Sequence, residues 1–155
     1  MTATTDPGVT VTELPPPTRI TLRVADPTGQ PLPTRIGAIE GCALCLGPDE
    51  WLLEGDAAAD LVAGLPGPYS AVEVSDREIT YLLEGPAVLD LLATGCPRDL
   101  ASMPVGAGAR TVYDTAQVVL VREANDRFRL TVWRSFAPHV RALFDIAMRE
   151  IAAGL

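Results

Sequence analysis

Three groups of residues in this chain are of the types that do chemistry. Near the C-terminus, TVWRSFAPHVRALFDIAMREI (131–151) holds the single histidine, His139, four residues after Ser135 and five after Arg134. A hydroxyl with an imidazole one helical turn away is raw material for a nucleophile and its base. Cys42-Ala43-Leu44-Cys45 spells C-x-x-C, a spacing used by dithiol redox sites and metal knuckles. Asp49, Glu50, Glu54, Asp56, Asp60, Glu84 and Asp90 supply carboxylates from which an acid/base pair could be drawn.

Each group must be positioned by some element, and the elements argue against the chemistry. RFRLTVW (127–133) alternates as a strand does, and a helix is expected from about Ser135 to Ala153. Its apolar positions Phe136, Val140, Leu143, Phe144, Ala147 and Ile151 recur at helical spacing. Ser135 then sits where an N-cap belongs, and Pro138 falls in the first turn, where a missing N–H is harmless. No glycines flank Ser135 as a nucleophile elbow requires, and no carboxylate close in sequence orients His139. The C-x-x-C lies in RIGAIEGCALCLG (35–47), read as one or two short strands broken by glycine. Positions i and i+3 of a strand face opposite ways, so these cysteines are expected as small buried hydrophobes.

Five of these carboxylates lie in an internal repeat, with Glu54/Glu84 and Asp60/Asp90 at matching positions. LLEGDAAADLVAGL (52–65) aligns with LLEGPAVLDLLATG (82–95) at eight of fourteen positions. Both copies read as a strand ending at Glu-Gly and then a short helix. Asp56 is placed to cap the first helix and Pro86 to open the second. Acidic residues near helix N-termini are favoured by the macrodipole without any catalysis.

Elsewhere the pattern is strands and turns. RITLRV (19–24) alternates as a half-buried strand, and YSAVEVSDREITYLL (69–83) is two strands about a polar turn at Ser75-Asp76-Arg77. RTVYDTAQVVLVRE (110–123) bends near Asp114-Thr115 and is followed by a tight turn at Ala124-Asn125-Asp126. Residues 1–17, rich in Thr and Pro, are expected to form an extended N-terminal arm, with 18–155 as a single domain. The fold class is α+β: a mainly antiparallel sheet with helices packed on one face, its strand–helix repeats resembling ferredoxin-like halves.

Composition narrows the function. Twelve basic and twenty acidic residues leave a formal charge of −8, so neither nucleic acid nor an anionic membrane is an expected partner. All twelve basic residues are arginine, which excludes a Walker lysine and a Schiff-base lysine. PVGAGAR (104–110) neither follows a strand nor opens a helix, so it makes no phosphate cradle. The N-terminal stretch has no charged start followed by an apolar run, so no secretory signal is expected. Three cysteines make no disulfide framework, and a cytoplasmic setting is the expectation.

Five segments in order, LGPDEWLLEG (46–55), SDRE (75–78), LLEGPAVLDLLATGCPRDL (82–100), RT (110–111) and FRLTVWRSFAPHVRALF (128–144), resemble the gamma subunit of heterotetrameric sarcosine oxidase. The resemblance spans roughly residues 40 to 150. It implies a fold similar to part of the folate-binding domain of glycine-cleavage T-protein. It also implies a non-catalytic structural subunit, with no catalytic, cofactor or metal residues of its own. The partners would be alpha, beta and delta subunits, chiefly the large alpha subunit, with FAD, covalent FMN, NAD and tetrahydrofolate held in those other subunits. The complex oxidatively demethylates sarcosine or a related N-methyl amino acid. Arg134, Trp133 and Arg98 are the expected partner contacts, since Arg and Trp dominate interface energetics. The alternatives are a free-standing folate-binding or one-carbon transfer protein of the T-protein type, and a plain protein-interaction module.

Overall fold

The computed structural model describes residues 6–155. Ten strands and three α-helices run in the order β1 (Thr10–Leu14), β2 (Arg19–Arg23), β3 (Ile39–Glu40), β4 (Ala43–Gly47), β5 (Glu50–Glu54), α1 (Ala58–Ala63), β6 (Ser70–Glu73), β7 (Glu78–Glu84), α2 (Val88–Ala93), β8 (Gly108–Tyr113), β9 (Ala116–Ala124), β10 (Arg127–Trp133) and α3 (Ala137–Ala152). A short 3-10 turn at Ser75–Arg77 separates β6 from β7. The class is α+β with antiparallel pairing throughout, as the alternation and local turns predict.

Two features go beyond the expectation. The first concerns the sheet, which is not one but two of five strands each, ordered β1-β7-β10-β9-β8 and β3-β4-β5-β2-β6. Helices α2 and α3 cover the outer face of the first sheet, where Leu83, Leu91, Leu120, Phe128, Leu130 and Phe144 form its core. Helix α1 covers the outer face of the second, over Leu22, Trp51 and Leu53. The inner faces meet each other through a small apolar contact of Leu44, Leu52 and Val121. The second concerns the N-terminal segment. Residues 1–5 lie outside the described residues, but Thr10–Leu14 pairs in register with β7, from Thr10↔Glu84 to Leu14↔Thr80. Alternation in TVTEL is too short and too polar to announce this edge strand.

The repeat is real in the backbone. Strand β5 ends at Glu54 opposite Arg19, and β7 ends at Glu84 opposite Thr10. Gly55 and Gly85 follow with φ of 99° and 131°, values that an L side chain rarely adopts. Both glycine carbonyls then close the same turn, accepting from Ala58 N and Val88 N at 3.1 Å. This explains why the expected caps fail. The helix N-caps are Ala57 and Phe136 rather than Asp56 and Ser135, with no side-chain cap at either. Backbone carbonyls of the preceding turn take the entering N–H groups instead, as when Ala137 N donates to Arg134 O at 3.3 Å. Pro138 does stand in the first turn of α3.

Candidate functional site: the strand-to-helix corner and the seam between the sheets

The β10–α3 corner carries the serine and the histidine. Ser135 is exposed, and among the described residues its hydroxyl makes no hydrogen bond. His139 is engaged elsewhere: its Nε2 lies 3.1 Å from Asp114 Oδ2. Asp114 turns the chain between β8 and β9 at φ 55°, the one non-glycine residue with positive φ among the described residues. So a carboxylate 25 positions away supplies the partner that local sequence lacked. The His139 hydrogen bond, with Thr115 adding to it, holds the Asp114 carboxyl below its ordinary range. This pair is about half exposed on both sides and ties the β8–β9 turn to the start of α3. Water reaches it freely, which is a poor setting for a general base.

The same corner presents two aromatic faces. Trp133 is 57% exposed and Phe136 44% exposed, with ring centroids 6.5 Å apart. Arg134 is fixed alongside, its Nε donating to Asp76 O at 2.9 Å. Its own N–H donates to Arg77 O at 2.7 Å. Arg98 is exposed too, but on the loop after α2, in a shallow depression with Leu89, Asp90 and Leu100. The fold therefore brings Trp133 and Arg134 together and leaves Arg98 apart.

Of the two cysteines expected to be buried, only Cys45 is, because Cys42 lies in the turn before β4 and not in the strand. Cys45 is fully buried in the α1-side core, and its thiol donates to Gly47 O at 3.2 Å. Burial pushes that thiol up from its ordinary value. Cys42 is half-buried and faces the inter-sheet space. Cys96 stands near Thr111 Oγ1 at 3.9 Å. Among the described residues no three His, Cys, Asp or Glu side chains gather as a metal site would need. No helix among them is long and apolar enough to cross a membrane.

The carboxylates reveal what the sequence reading missed. Glu50 joins Arg110 and Arg23. Glu54 Oε2 accepts from Arg129 Nη1 at 2.7 Å, and its Oε1 lies 3.7 Å from Arg19 Nε. Glu78 Oε2 lies 3.3 Å from the same Nε. Arg19 itself is 0% exposed, its Nη2 donating to Thr80 Oγ1 at 2.6 Å, and Thr80 meets Thr131 at 2.9 Å. Asp56, Asp60 and Asp90 are merely exposed. Arg19, Glu54, Glu78, Thr80, Arg129 and Thr131, polar residues of β2, β5, β7 and β10, thus lie between the sheets and not in open solvent. Glu50–Arg110, Glu54–Arg129 and Arg19–Glu78 cross the seam from one sheet to the other, while Glu50–Arg23 and Glu54–Arg19 link neighbouring strands of the second sheet. Burial raises Glu78 above the usual carboxylate range against the pull of Arg19. Arg110 chiefly holds Glu50 below that range.

This architecture has known counterparts. No family model matches the chain. The gamma subunit of sarcosine oxidase from Corynebacterium sp. (strain U-96) is 34% identical over 143 residues, covering 84% of this chain and 69% of that one. The chain belongs to the sarcosine oxidase gamma-subunit family. A solved heterotetrameric sarcosine oxidase from Corynebacterium sp. U-96, in complex with pyrrole 2-carboxylate, contains a chain that superposes on this one. Its TM-score is 0.81 at 30% identity, over 93% of this chain and 85% of that chain. The gamma-subunit fold extends further. The glycine cleavage system aminomethyltransferase T from Bartonella henselae matches at a TM-score of 0.62 and 13% identity, over 94% of this chain and half of that one. That likeness is one of fold, and it agrees with the T-protein-like architecture expected from the motifs.

Proposed function

We propose that this chain is the gamma-type subunit of a heterotetrameric sarcosine oxidase complex and that its contribution is architectural. The observation that carries this reading is the combined match in sequence and fold to a gamma subunit of such an enzyme. In this reading alpha-, beta- and delta-type subunits hold FAD, FMN, NAD and tetrahydrofolate and oxidise sarcosine or a related N-methyl amino acid in the cytoplasm. The gamma chain buries surface against the large alpha-type subunit and fixes the geometry of its folate-binding part. A reactive one-carbon product then passes on without meeting water. The exposed pair Trp133 and Phe136 with the anchored Arg134 fits the aromatic and arginine chemistry of interface anchors, and Arg98 would mark a second contact.

Co-expression with the three larger subunits tests this. The wild-type chain is expected to co-purify with them as one complex, and a Trp133→Ala, Arg134→Ala double variant is expected to be recovered free. Circular dichroism of the freed chain checks that it remains folded. Complex yield unchanged by that pair and by Arg98→Ala removes those residues as contacts. A chain that ignores the larger subunits yet binds tetrahydrofolate alone would replace the reading with the T-protein alternative.

A further inference from the structure

The two sheets end in four edge strands, β1, β8, β3 and β6. An edge strand presents unpaired backbone groups, and proteins cover or blunt such edges. Three of the four are dealt with inside the chain. Arg141 of α3 donates to Val11 O on β1 at 3.1 Å. Gly108, at the start of β8, donates its N–H to Gly37 O at 2.9 Å, just before β3, and so bridges those two edges. Edge β6 has no such cover among the described residues. Within Ser70–Glu73 there is no proline, arginine or register shift, and only its shortness blunts it.

The ladder fixes which groups are free. Val74 N donates to Arg19 O at 2.8 Å, and Thr21 stands opposite Val72. Bonded and non-bonded pairs alternate along an antiparallel ladder, so Ser70 and Val72 turn their backbone groups to β2. Ala71 and Glu73 turn theirs outward, where nothing among the described residues takes them. The side chains beside them are open too, with Val72 46% and Tyr69 45% exposed.

The edge runs straight into the aromatic corner. The turn Ser75–Arg77 leaves β6, and Arg134 holds that turn by its bonds to Asp76 O and Arg77 O. Trp133 and Val74 line one hollow at the mouth of the seam, and Val72 lies on the same face of β6 as Val74. A second copy is a poor occupant, because each copy carries a charge of −8. A stable pairing also buries about 1,200 Å2 or more, beyond what a four-residue edge supplies. Such an edge works as one part of a larger contact. We propose that β6 takes an added strand, an extended segment of the large partner subunit that also covers Trp133, Arg134 and Phe136. The segment is apolar where it lies over Val72 and basic where it reaches Glu73, and it exchanges backbone hydrogen bonds with Ala71 and Glu73. This inference rests on the assignment to a multi-subunit complex.

Hydrogen exchange, read residue by residue in the free chain and in the complex with the three larger subunits, tests it. In the free chain the Ala71 and Glu73 amides are expected to be roughly tenfold less protected than that of Val72, and in the complex that gap closes. Glu73→Pro deletes one outward N–H, a change that an edge strand tolerates, and Val72→Lys puts a charge on the apolar contact. Each variant, once circular dichroism shows it folded, is expected to compete roughly tenfold less well than wild type for the larger subunits. A complex in which the gap persists overturns this proposal and leaves the architectural reading standing. Folded variants that both assemble like wild type do the same. A gap that closes in the free chain as its concentration rises assigns the edge to a second copy and overturns the proposal. A wild-type chain that never joins the larger subunits overturns both readings.

Discussion

The two copies of the LLEG repeat share a sequence pattern and a backbone but not their surroundings. Each runs strand, Glu, positive-φ glycine, short helix, and each closes the same glycine-carbonyl turn. Their surroundings differ at every step. Glu54 is 16% exposed and meets Arg19 on the neighbouring strand and Arg129 across the seam, while Glu84 is 42% exposed and pairs with Arg127 at the rim. Helix α2 buries Val88, Leu91 and Leu92 and packs on α3, whereas α1 buries Ala58 alone. Gly55 has open space about it. Gly85 packs so closely on the backbone of Gly8 and Val9 that no Cβ would fit. Local sequence sets the turn, and the sheet a copy belongs to sets what that turn is worth.

The largest contrast is expected at the glutamates. Glu54→Ala leaves Arg19 with Glu78 alone and Arg129 with Glu123 alone, and removing one partner of a buried charge cluster costs about 3–5 kcal/mol. Glu84→Ala removes an exposed pair worth about 0–1 kcal/mol. Urea melts of both variants measure the difference. Equal losses would mean that the seam is not the more strongly coupled environment.

The helices should follow, with a smaller gap. Leu91 is fully buried between α2, α3 and the sheet, so Leu91→Ala is expected to cost about 2–5 kcal/mol. Its counterpart Leu61 is only partly buried against the second core. Leu61→Ala is expected to lose about 1 kcal/mol, in proportion to the apolar area it covers. A Leu61 loss matching that of Leu91 would show that α1 is as deeply packed as α2 in solution.

The same contrast explains what could be read from the sequence. Periodicity located the strands after the first, because their outward-facing apolar residues sit under helices and recur strictly at every second position, as Trp51 and Leu53 or Phe128, Leu130 and Val132 do. The repeat and the RSFA corner were legible for the same reason, since each is a local signal. The seam was not. Arg19, Thr21, Glu54, Thr80, Arg129 and Thr131 look like the wet side of a half-buried strand, and only the pairing of distant strands shows that another sheet covers them. The His139 partner escaped for the same cause: Asp114 comes close only once β8 and β9 have formed. A hint was present in RITLRV, where arginine opens a strand whose partner ends in glutamate.

The smallest expected effect, in pH, separates the strands that lead into the two copies. Strand β5 begins at Glu50 and β7 at Glu78, both on the seam face, and their environments act in opposite directions. Arg110 holds Glu50 below the ordinary carboxylate value of 4.5. A depressed folded-state pKa adds stability that is fully present above about pH 4.5 and is lost as pH falls through the lower folded value. Glu78 is raised above 4.5 by burial, against the pull of Arg19. Here the folded state holds its proton more tightly than the unfolded chain, so stability is greatest below about pH 4.5 and declines as pH rises through the folded value. Glu50→Gln is therefore expected to fall further below wild type as pH climbs from acid to neutral. Glu78→Gln is expected to gain on wild type over the same climb. Urea melts at a series of pH values give both curves. If they run parallel, the two strands share one electrostatic environment, and the seam does not treat the two copies differently.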